Sequence, residues 1–393
     1  MPTARGWAAV GVSTALLLLW VGYGEIELMT TAVFLMAAVL VGVAFVRFAS
    51  PRVDLRRTLH PPQVHEGDDA VVEVEVTAAR RVRNVALEDI VHGLGVARFA
   101  AARTTPGQPL VARYEVMCRQ RGIYQVGPAE VSVADPFGLT ERRSQTGGID
   151  RLTVYPRIES LTGFPAVRGL DPAVQSTRPT FSPHGGEDFF TLREYVTGDD
   201  LRRVHWPSSA KRDSLMIKQL EVPWQARALV LIDTRAGRYP VPEAFEQSVR
   251  GAASAVAHLY RGGFSPELWG AERAPGMRSG NRYIQAMDML ATIDTSNTLD
   301  LRRTVTRLRR QGVGGGALVI VTGVPDDGAL AAYRILAKDF TRTIVMAVAD
   351  RSADALVMFQ RAGAVTMAVG PDGAWGPAWR TAMELSWSTA SVG

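Results

Sequence analysis

The sequence predicts an α+β multidomain chain: an N-terminal transmembrane helical hairpin, an antiparallel β-sandwich and a C-terminal open α/β sheet. Three observations carry that prediction. The first fifty residues hold two uncharged apolar runs, from Trp7 to Tyr23 and from Leu28 to Phe45. Apolar residues at every second position, most plainly in Val71–Val76 (VVEVEV), mark strands between residue 56 and about 155. From Arg227 onward, near-continuous apolar strands alternate with stretches whose apolar residues recur at helical spacing.

A helix rises about 1.5 Å per residue, so roughly 17 to 25 apolar residues cross a bilayer core. Both runs reach that length, the first only just, and Gly24, Glu25, Ile26 and Glu27 form the turn between them. Lipid offers no partner for a free backbone N–H or C=O, so paired helices are the natural form. Arg5 precedes the first run, and Arg47, Arg52, Arg56 and Arg57 follow the second; the turn has no Lys or Arg. Positive flanks stay inside, which predicts a two-pass protein of the cell (inner or plasma) membrane with N- and C-termini cytoplasmic. Trp7, Trp20 and Tyr23 lie near the run ends, where amphipathic rings favour the interface. The competing reading is a cleaved secretory signal followed by one span. Arg5 and the first run fit it, but no small-residue cleavage site precedes Gly24 and the second run follows at once.

Composition sets the remaining bounds. Apolar content of 47% against 21% charged is that of a globular chain, and 393 residues leave room for two or three domains after the hairpin. A net charge of +5 with no like-charge block gives no footprint for nucleic acid. The densest basic cluster, Arg302, Arg303, Arg307, Arg309 and Arg310, has helical spacing and reads as a solvated face. Cys118 is the only cysteine, which excludes an intramolecular disulfide and a multi-cysteine zinc site and fits a reducing compartment.

The expected organisation is 1–50 hairpin, 51–155 β-sandwich, 156–186 linker, 187–226 signature segment and 227–393 α/β domain. The linker holds Pro165, Pro172, Pro179, Pro183 and Gly185-Gly186 with no periodicity. In the last domain Ala228–Ile232, Ala317–Val321, Thr343–Ala349 and Val365–Val369 read as buried strands. Phe245, Val249, Ala252, Val256 and Leu259 form one helical stripe.

Residues 185 to 221 carry a distinctive run: Gly186, Glu187, Phe189, Leu192, Arg193, Tyr195, Gly198, Asp199, Arg202, Trp206, Ala210 and Lys211. Upstream stand Arg121-Gly122, Tyr124, Gly127-Pro128 and Asp135-Pro136-Phe137-Gly138-Leu139. Together these residues resemble a bacterial family known as domain of unknown function fifty-eight. The resemblance implies a membrane anchor, an α/β domain similar to the von Willebrand factor type A fold, and a partner, an AAA+ ATPase of the MoxR group. Physically, Asp199 or Asp200 suits the cap of a short helix through Trp206. Arg193, Arg202 and Arg203 can fork onto Glu187, Glu194 or Asp199. Glu187, Arg193, Tyr195, Asp199, Arg202 and Trp206 are therefore partner-binding candidates, with a polar brace for the sheet as the equal alternative. His205 beside Ser208 and Ser209 lacks triad geometry and an oxyanion motif.

Metal-binding members of the type A fold end their first strand Asp-x-Ser-x-Ser. Here that stretch is Asp233, Arg235 and Gly237: glycine has no ligand atom, and arginine brings a fixed positive charge. The later strand ends Val321-Thr322-Gly323 where an Asp is expected, Asp326 and Asp327 come too late to match simply, and the loop threonine is ambiguous between Thr295 and Thr298. A degenerate site with Asp233 paired to Arg235, no metal and no cofactor is the expectation. No phosphate loop, zinc-protease or nucleophile-elbow motif occurs. The function expected is a membrane-anchored, non-enzymatic adaptor or assembly factor. The alternatives are an envelope-related hydrolase or transferase using Asp233, Asp350 or His205, and an ion-dependent adhesion module.

Overall fold

The computed structural model describes residues 1–48, 53–79, 82–163, 190–194, 204, 206–212, 214–220, 227–270, 281–310, 314–349 and 354–390. The protein is a mixed α+β chain with two apolar N-terminal helices and several sheets. It divides into two compact units, one of Met1–Arg157 with Leu290–Thr292 and one of Ile158–Met289 with Ile293–Gly393.

Helices α1 (Ala4–Tyr23) and α2 (Ile26–Phe48) take up the two apolar runs, and both are long and apolar enough to cross a membrane. Thr3 caps α1 by accepting the Gly6 N–H, and Gly24 ends it at φ 76°, a left-handed conformation open to glycine, with its N–H on the Trp20 carbonyl. Gly6 and Ser13 of α1 and Ala32, Val39, Gly42 and Val46 of α2 are buried. Ala32, Val39 and Val46 recur every seven residues and so share one face of α2. The Ser13 hydroxyl crosses to the Ala32 carbonyl at 2.8 Å.

Strands β1 (Val53–His60), β3 (Asp69–Ala78) and β6 (Leu110–Met117) form a three-stranded antiparallel sheet in the order β1-β3-β6. A second sheet runs β2 (Gln63–His65), β10 (Asp150–Tyr155), β7 (Gly122–Val126), β4 (Val82–Val91), β8 (Ala129–Ala134), β9 (Glu141–Thr146), with β5 (Gly95–Thr104) on β4. Its pairs are antiparallel apart from β2 with β10. Both sheets contribute to one core: Val72, Val74 and Val76 from the first, Leu87, Val131 and Leu152 from the second. The alternation in β3 thus fixes its register, because a one-residue slip would turn Glu73 and Glu75 inward. A charge cluster with a buried centre lies in this unit. The Arg57 guanidinium, 1% exposed, meets Asp89 at 2.6 Å and Asp150 at 2.8 Å, and the Tyr114 hydroxyl donates to Asp89 at 2.7 Å. Cys118 is buried and free, and burial pushes its thiol up.

In the second unit β13 (Arg227–Ile232), β14 (Ser265–Gly270), β15 (Gly315–Thr322), β16 (Phe340–Val348) and β17 (Val365–Val369) form an all-parallel sheet in the order β14-β13-β15-β16-β17. The helices are α4 (Pro242–Arg261), α5 (Arg282–Thr292), α6 (Leu301–Arg310), α7 (Asp327–Leu336), α8 (Asp354–Arg361) and α9 (Trp375–Ala390). The stripe read from α4 is buried throughout, Phe245 to Leu259. On α6, Val305 and Leu308 are buried while the five arginines of the basic cluster face solvent. Ahead of this sheet, β11 (Phe190–Glu194) pairs with β12 (Met216–Leu220) as an antiparallel ladder, and α3 (Trp206–Arg212) lies between them in sequence. The short helix is described from Trp206 onward, and its expected cap, Asp199 or Asp200, lies outside the described residues.

Candidate functional site

In this parallel sheet the strand order reverses at β13, which lies between β14 and β15, the next two strands in sequence, and open α/β sheets bind ligands beyond the carboxyl ends at such a point. Asp233 leaves β13 there and Thr322 ends β15 beside it. The Asp233 N–H donates to the Val321 carbonyl at 2.8 Å, which extends the strand pairing by one residue and turns the carboxylate into the edge. That carboxylate is 1% exposed.

Both of its oxygens are engaged. Arg235 gives its backbone N–H to Oδ1 at 3.1 Å, Nε to Oδ1 at 3.0 Å and Nη2 to Oδ2 at 2.7 Å. The Thr322 hydroxyl donates to Oδ2 at 3.0 Å. The same guanidinium turns its other edge to Asp326, with Nη1 2.9 Å from Oδ2 and Nη2 2.8 Å from Oδ1. Arg238 reaches Asp326 Oδ2 at 3.2 Å. Asp326 is also the N-cap of α7, where Oδ1 accepts the Ala329 N–H at 2.8 Å. One planar fork thus bridges two carboxylates, the geometry a guanidinium suits and an ammonium does not.

The surrounding backbone holds this cluster closely. The Tyr239 hydroxyl donates to the Asp233 carbonyl. A side chain at Gly323 would run into the Arg238 carbonyl at 2.2 Å and the Tyr239 ring at 2.8 Å, so the turn after β15 requires glycine. The Ser296 N–H bonds to the Thr234 carbonyl at 2.7 Å, and Ala236 N–H returns to Ser296 at 3.1 Å, which ties the loop after α5 to the edge. That loop approaches through Ser296; the Thr298 hydroxyl faces Ser296 at 3.2 Å and the Thr295 N–H folds onto Asp294 at 2.7 Å.

Two aspartates and two arginines make the cluster neutral. Hydrogen bonding to Asp233 is the largest influence on Arg235 and holds its guanidinium protonated well beyond the usual range. Burial pushes the Asp326 carboxyl up, but its bonds to Arg235 and to the Ala329 N–H, with the charges of Arg235 and Arg238, outweigh this and leave it below its ordinary 3.8. Burial, aided by the Asp233 charge, holds the Tyr239 phenol protonated. A carboxylate with both oxygens engaged and a permanent cation beside it is a poor general base and a poor ligand for a second cation. Among the described residues no group of three or more His, Cys, Asp or Glu is placed to hold a metal. An open cleft of about 560 Å³ adjoins the cluster, with Leu330, Val357 and Met358 in its wall beside Asp326, Asp327 and Asp354.

The sequence placed Asp233 and Arg235 here but set Asp326 aside as too distant. The structure brings it in, because β15 lies beside β13 and the turn after β15 delivers Asp326 to the same edge. Its signal was a cap residue, Asp326, three positions past the glycine that follows a buried strand. Gly237 stands in open space in the turn after Arg235. Of the partner-binding candidates, Trp206 opens α3 and is 68% exposed, and Arg193 lies in β11 opposite Ile217. Glu187, Tyr195, Asp199 and Arg202 lie outside the described residues, as do His205 and Asp350.

Residues 191–366 match the family described as "Protein of unknown function DUF58". The match begins inside the signature segment and runs through most of the parallel sheet, so the resemblance read from that segment holds. The chain is also similar to the uncharacterized protein YeaD of Bacillus subtilis (strain 168), 27% identical over 150 residues, or 38% of this chain and 36% of that protein's length. The chain thus spans little more than a third of that relative. Among solved structures, the CARDB domain of the PF1109 protein from Pyrococcus furiosus shares 16% identity over 26% of this chain and 93% of that one, with a TM-score of 0.22. Spo0M, a sporulation control protein from Bacillus subtilis, shares 14% identity over 26% of this chain and 49% of its own, with a TM-score of 0.16. Likenesses this weak bear on neither fold nor function.

Proposed function

We propose that this protein is a membrane-anchored adaptor or assembly factor that catalyses no reaction and binds protein partners on the cytoplasmic side. In this reading α1 and α2 cross the inner membrane with both termini inside, the strands of residues 51–155 form a β-sandwich, and residues 227–393 form a von Willebrand factor type A-like domain. The observation that carries the proposal is the Arg235 guanidinium between Asp233 and Asp326, at the place where a sheet of this order presents its ligands. With that position filled by a tethered cation, the edge is a rigid, neutral surface, suited to contact instead of chemistry. The adjoining cleft, lined by apolar side chains together with three aspartates and Arg361, gives such a surface relief. The partner implied by the family resemblance is a MoxR-group AAA+ ATPase. An enzyme using Asp233 would need that carboxylate released from Arg235 and Thr322, and nothing in the cluster supplies the release.

The test is affinity purification of the detergent-solubilised full-length chain with identification of captured proteins by mass spectrometry. The proposal expects the ATPase in the wild-type eluate and its loss on Arg193→Glu or Arg202→Glu, with the melting temperature unchanged. Undiminished capture by both variants, or activity of a reporter placed after Gly393 on the outer side of the membrane, would refute it.

A further inference from the structure

Within the first unit, the loop joining β8 to β9 is bound to the ends of the two apolar helices. The Thr3 N–H donates to the Leu139 carbonyl at 2.8 Å, the Thr3 hydroxyl donates to Gly138 at 2.7 Å, and Pro2 bridges Thr140. Two glycines allow this approach. A Cβ on Gly6 of α1 would stand 2.1 Å from the Leu139 oxygen, and one on Gly42 of α2 would stand 3.0 Å from the Thr140 hydroxyl. The loop is internally fixed as well: Asp135, 1% exposed, accepts from the Phe137 N–H at 2.8 Å and from the Thr140 hydroxyl at 2.8 Å, and Gly138 turns at φ 69°. From this rigid loop Phe137 projects with 75% of its surface exposed, beside a buried Asp and a buried Thr.

The depth of the loop follows from helix geometry. Gly6 lies seventeen residues from the end of α1 at Tyr23, and Gly42 sixteen from the start of α2 at Ile26, about 24–26 Å at 1.5 Å per residue. A hydrocarbon core is about 30 Å thick. With the turn at Gly24 on the far surface, the loop therefore meets the helices within a few ångströms of the near boundary of the hydrocarbon. Past Gly42, α2 is still apolar, and Val43 and Phe45 are exposed there, as is Trp7 beside Gly6. Arg5, whose guanidinium lies 3.9 Å from a Cβ built on Gly138, and Arg47 supply cations at the level where lipid headgroups carry phosphate.

We infer that the loop Asp135–Thr140 is a membrane-contacting element, with Phe137 inserted at the hydrocarbon boundary of the leaflet that holds the near ends of α1 and α2. The occupant of this surface is lipid. The inference rests on the membrane-anchor reading above. It adds that the first β unit meets the bilayer through a built contact, with the loop seated on both helices and its aromatic in the leaflet.

The test places an environment-sensitive nitrobenzoxadiazole probe on single cysteines in the full-length chain carrying Cys118→Ala, reconstituted in phosphatidylcholine nanodiscs with or without shallow doxyl-labelled lipid. Three positions are compared: Phe137→Cys, Leu18→Cys within α1, and Val96→Cys. Val96 faces Ile90, and β4 sets Val85 against Val133, so Val96 lies at the opposite end of the sheet from Phe137. The expected result is blue-shifted emission and strong doxyl quenching at 137 and 18, with neither at 96. Quenching at 18 without quenching at 137 overturns the inference and leaves the anchor standing; no quenching at 18 removes the anchor and the inference with it. A blue shift at 137 that doxyl lipid does not quench means that protein covers the loop, and this also overturns the inference.

Discussion

Replacing Arg235 with alanine isolates the interaction that defines the sheet edge. The substitution leaves Asp233, 1% exposed, with only the Thr322 hydroxyl and the residue 235 N–H, and it strips two bonds from Asp326. Removing one partner of a buried ion pair costs about 3–5 kcal/mol, because the remaining charge stays out of water. Arg235 and Asp326 keep 20% and 25% of their side-chain surface exposed, and two donors to Asp233 survive, so the lower end applies, about 3 kcal/mol. In a unit of this size each kcal/mol moves the melting temperature by about 2–4 °C, giving a fall of about 6–12 °C. The assay is thermal melting of the full-length chain in detergent, followed by intrinsic fluorescence. The second variant decides the mechanism. Adding Asp233→Asn to Arg235→Ala removes the stranded charge, so the double variant should melt above the single one. A fall of less than about 2 °C for Arg235→Ala, or a double variant less stable than the single, would refute the reasoning.

Further outcomes follow from the same contacts. The folded-state carboxyl of Asp326 lies below its ordinary 3.8, so its contribution is fully present above that pH and is lost as pH falls through the lower folded-state value. The stability gap between wild type and Asp326→Asn should therefore close on acidification below about 3.8 and stay constant from pH 5 to 8, read by denaturant unfolding at fixed pH. A Cβ on Gly251 of α4 would stand 2.7 Å from the ring of Trp375, which is fully buried and donates Nε1–H to the Gln247 carbonyl at 2.9 Å. Gly251→Ala should cost about 1–3 kcal/mol. Gly237→Ala, where the added methyl meets nothing within 4 Å, should stay within about 0.5 kcal/mol in the same melts.

The elements legible in the sequence are those whose burial is one-sided or complete. The α4 stripe was readable because a helix packed on a sheet repeats its apolar face every three or four residues. The strands β13, β15, β16 and β17 were readable because a parallel strand covered on both faces is almost uninterruptedly apolar. Strand β9, with sequence ERRSQT, carries no such signal: it bonds along one edge to β8 and leaves most of its side chains in solvent. Strand β1, VDLRRTLH, hides a different feature. Its Arg57 is buried against Asp89 and Asp150, partners 32 and 93 residues away that no local pattern reports. The candidate site divides along the same line. Asp233 and Arg235 are two residues apart, and their opposite charges announce the pair. Asp326 lies 91 residues from Arg235 and joins only because β13 and β15 are neighbours, a fact of strand order. Tyr239, whose hydroxyl holds the Asp233 carbonyl, had no signal at all in a segment read only for its missing serines.

The claim on which the account turns is that a protein-borne guanidinium fills the place between Asp233 and Asp326. Calorimetric titration of Mg²⁺ or Mn²⁺ into the purified full-length chain tests it directly. The account predicts no binding heat above dilution in the wild type. Micromolar binding that Asp233→Ala abolishes would contradict it.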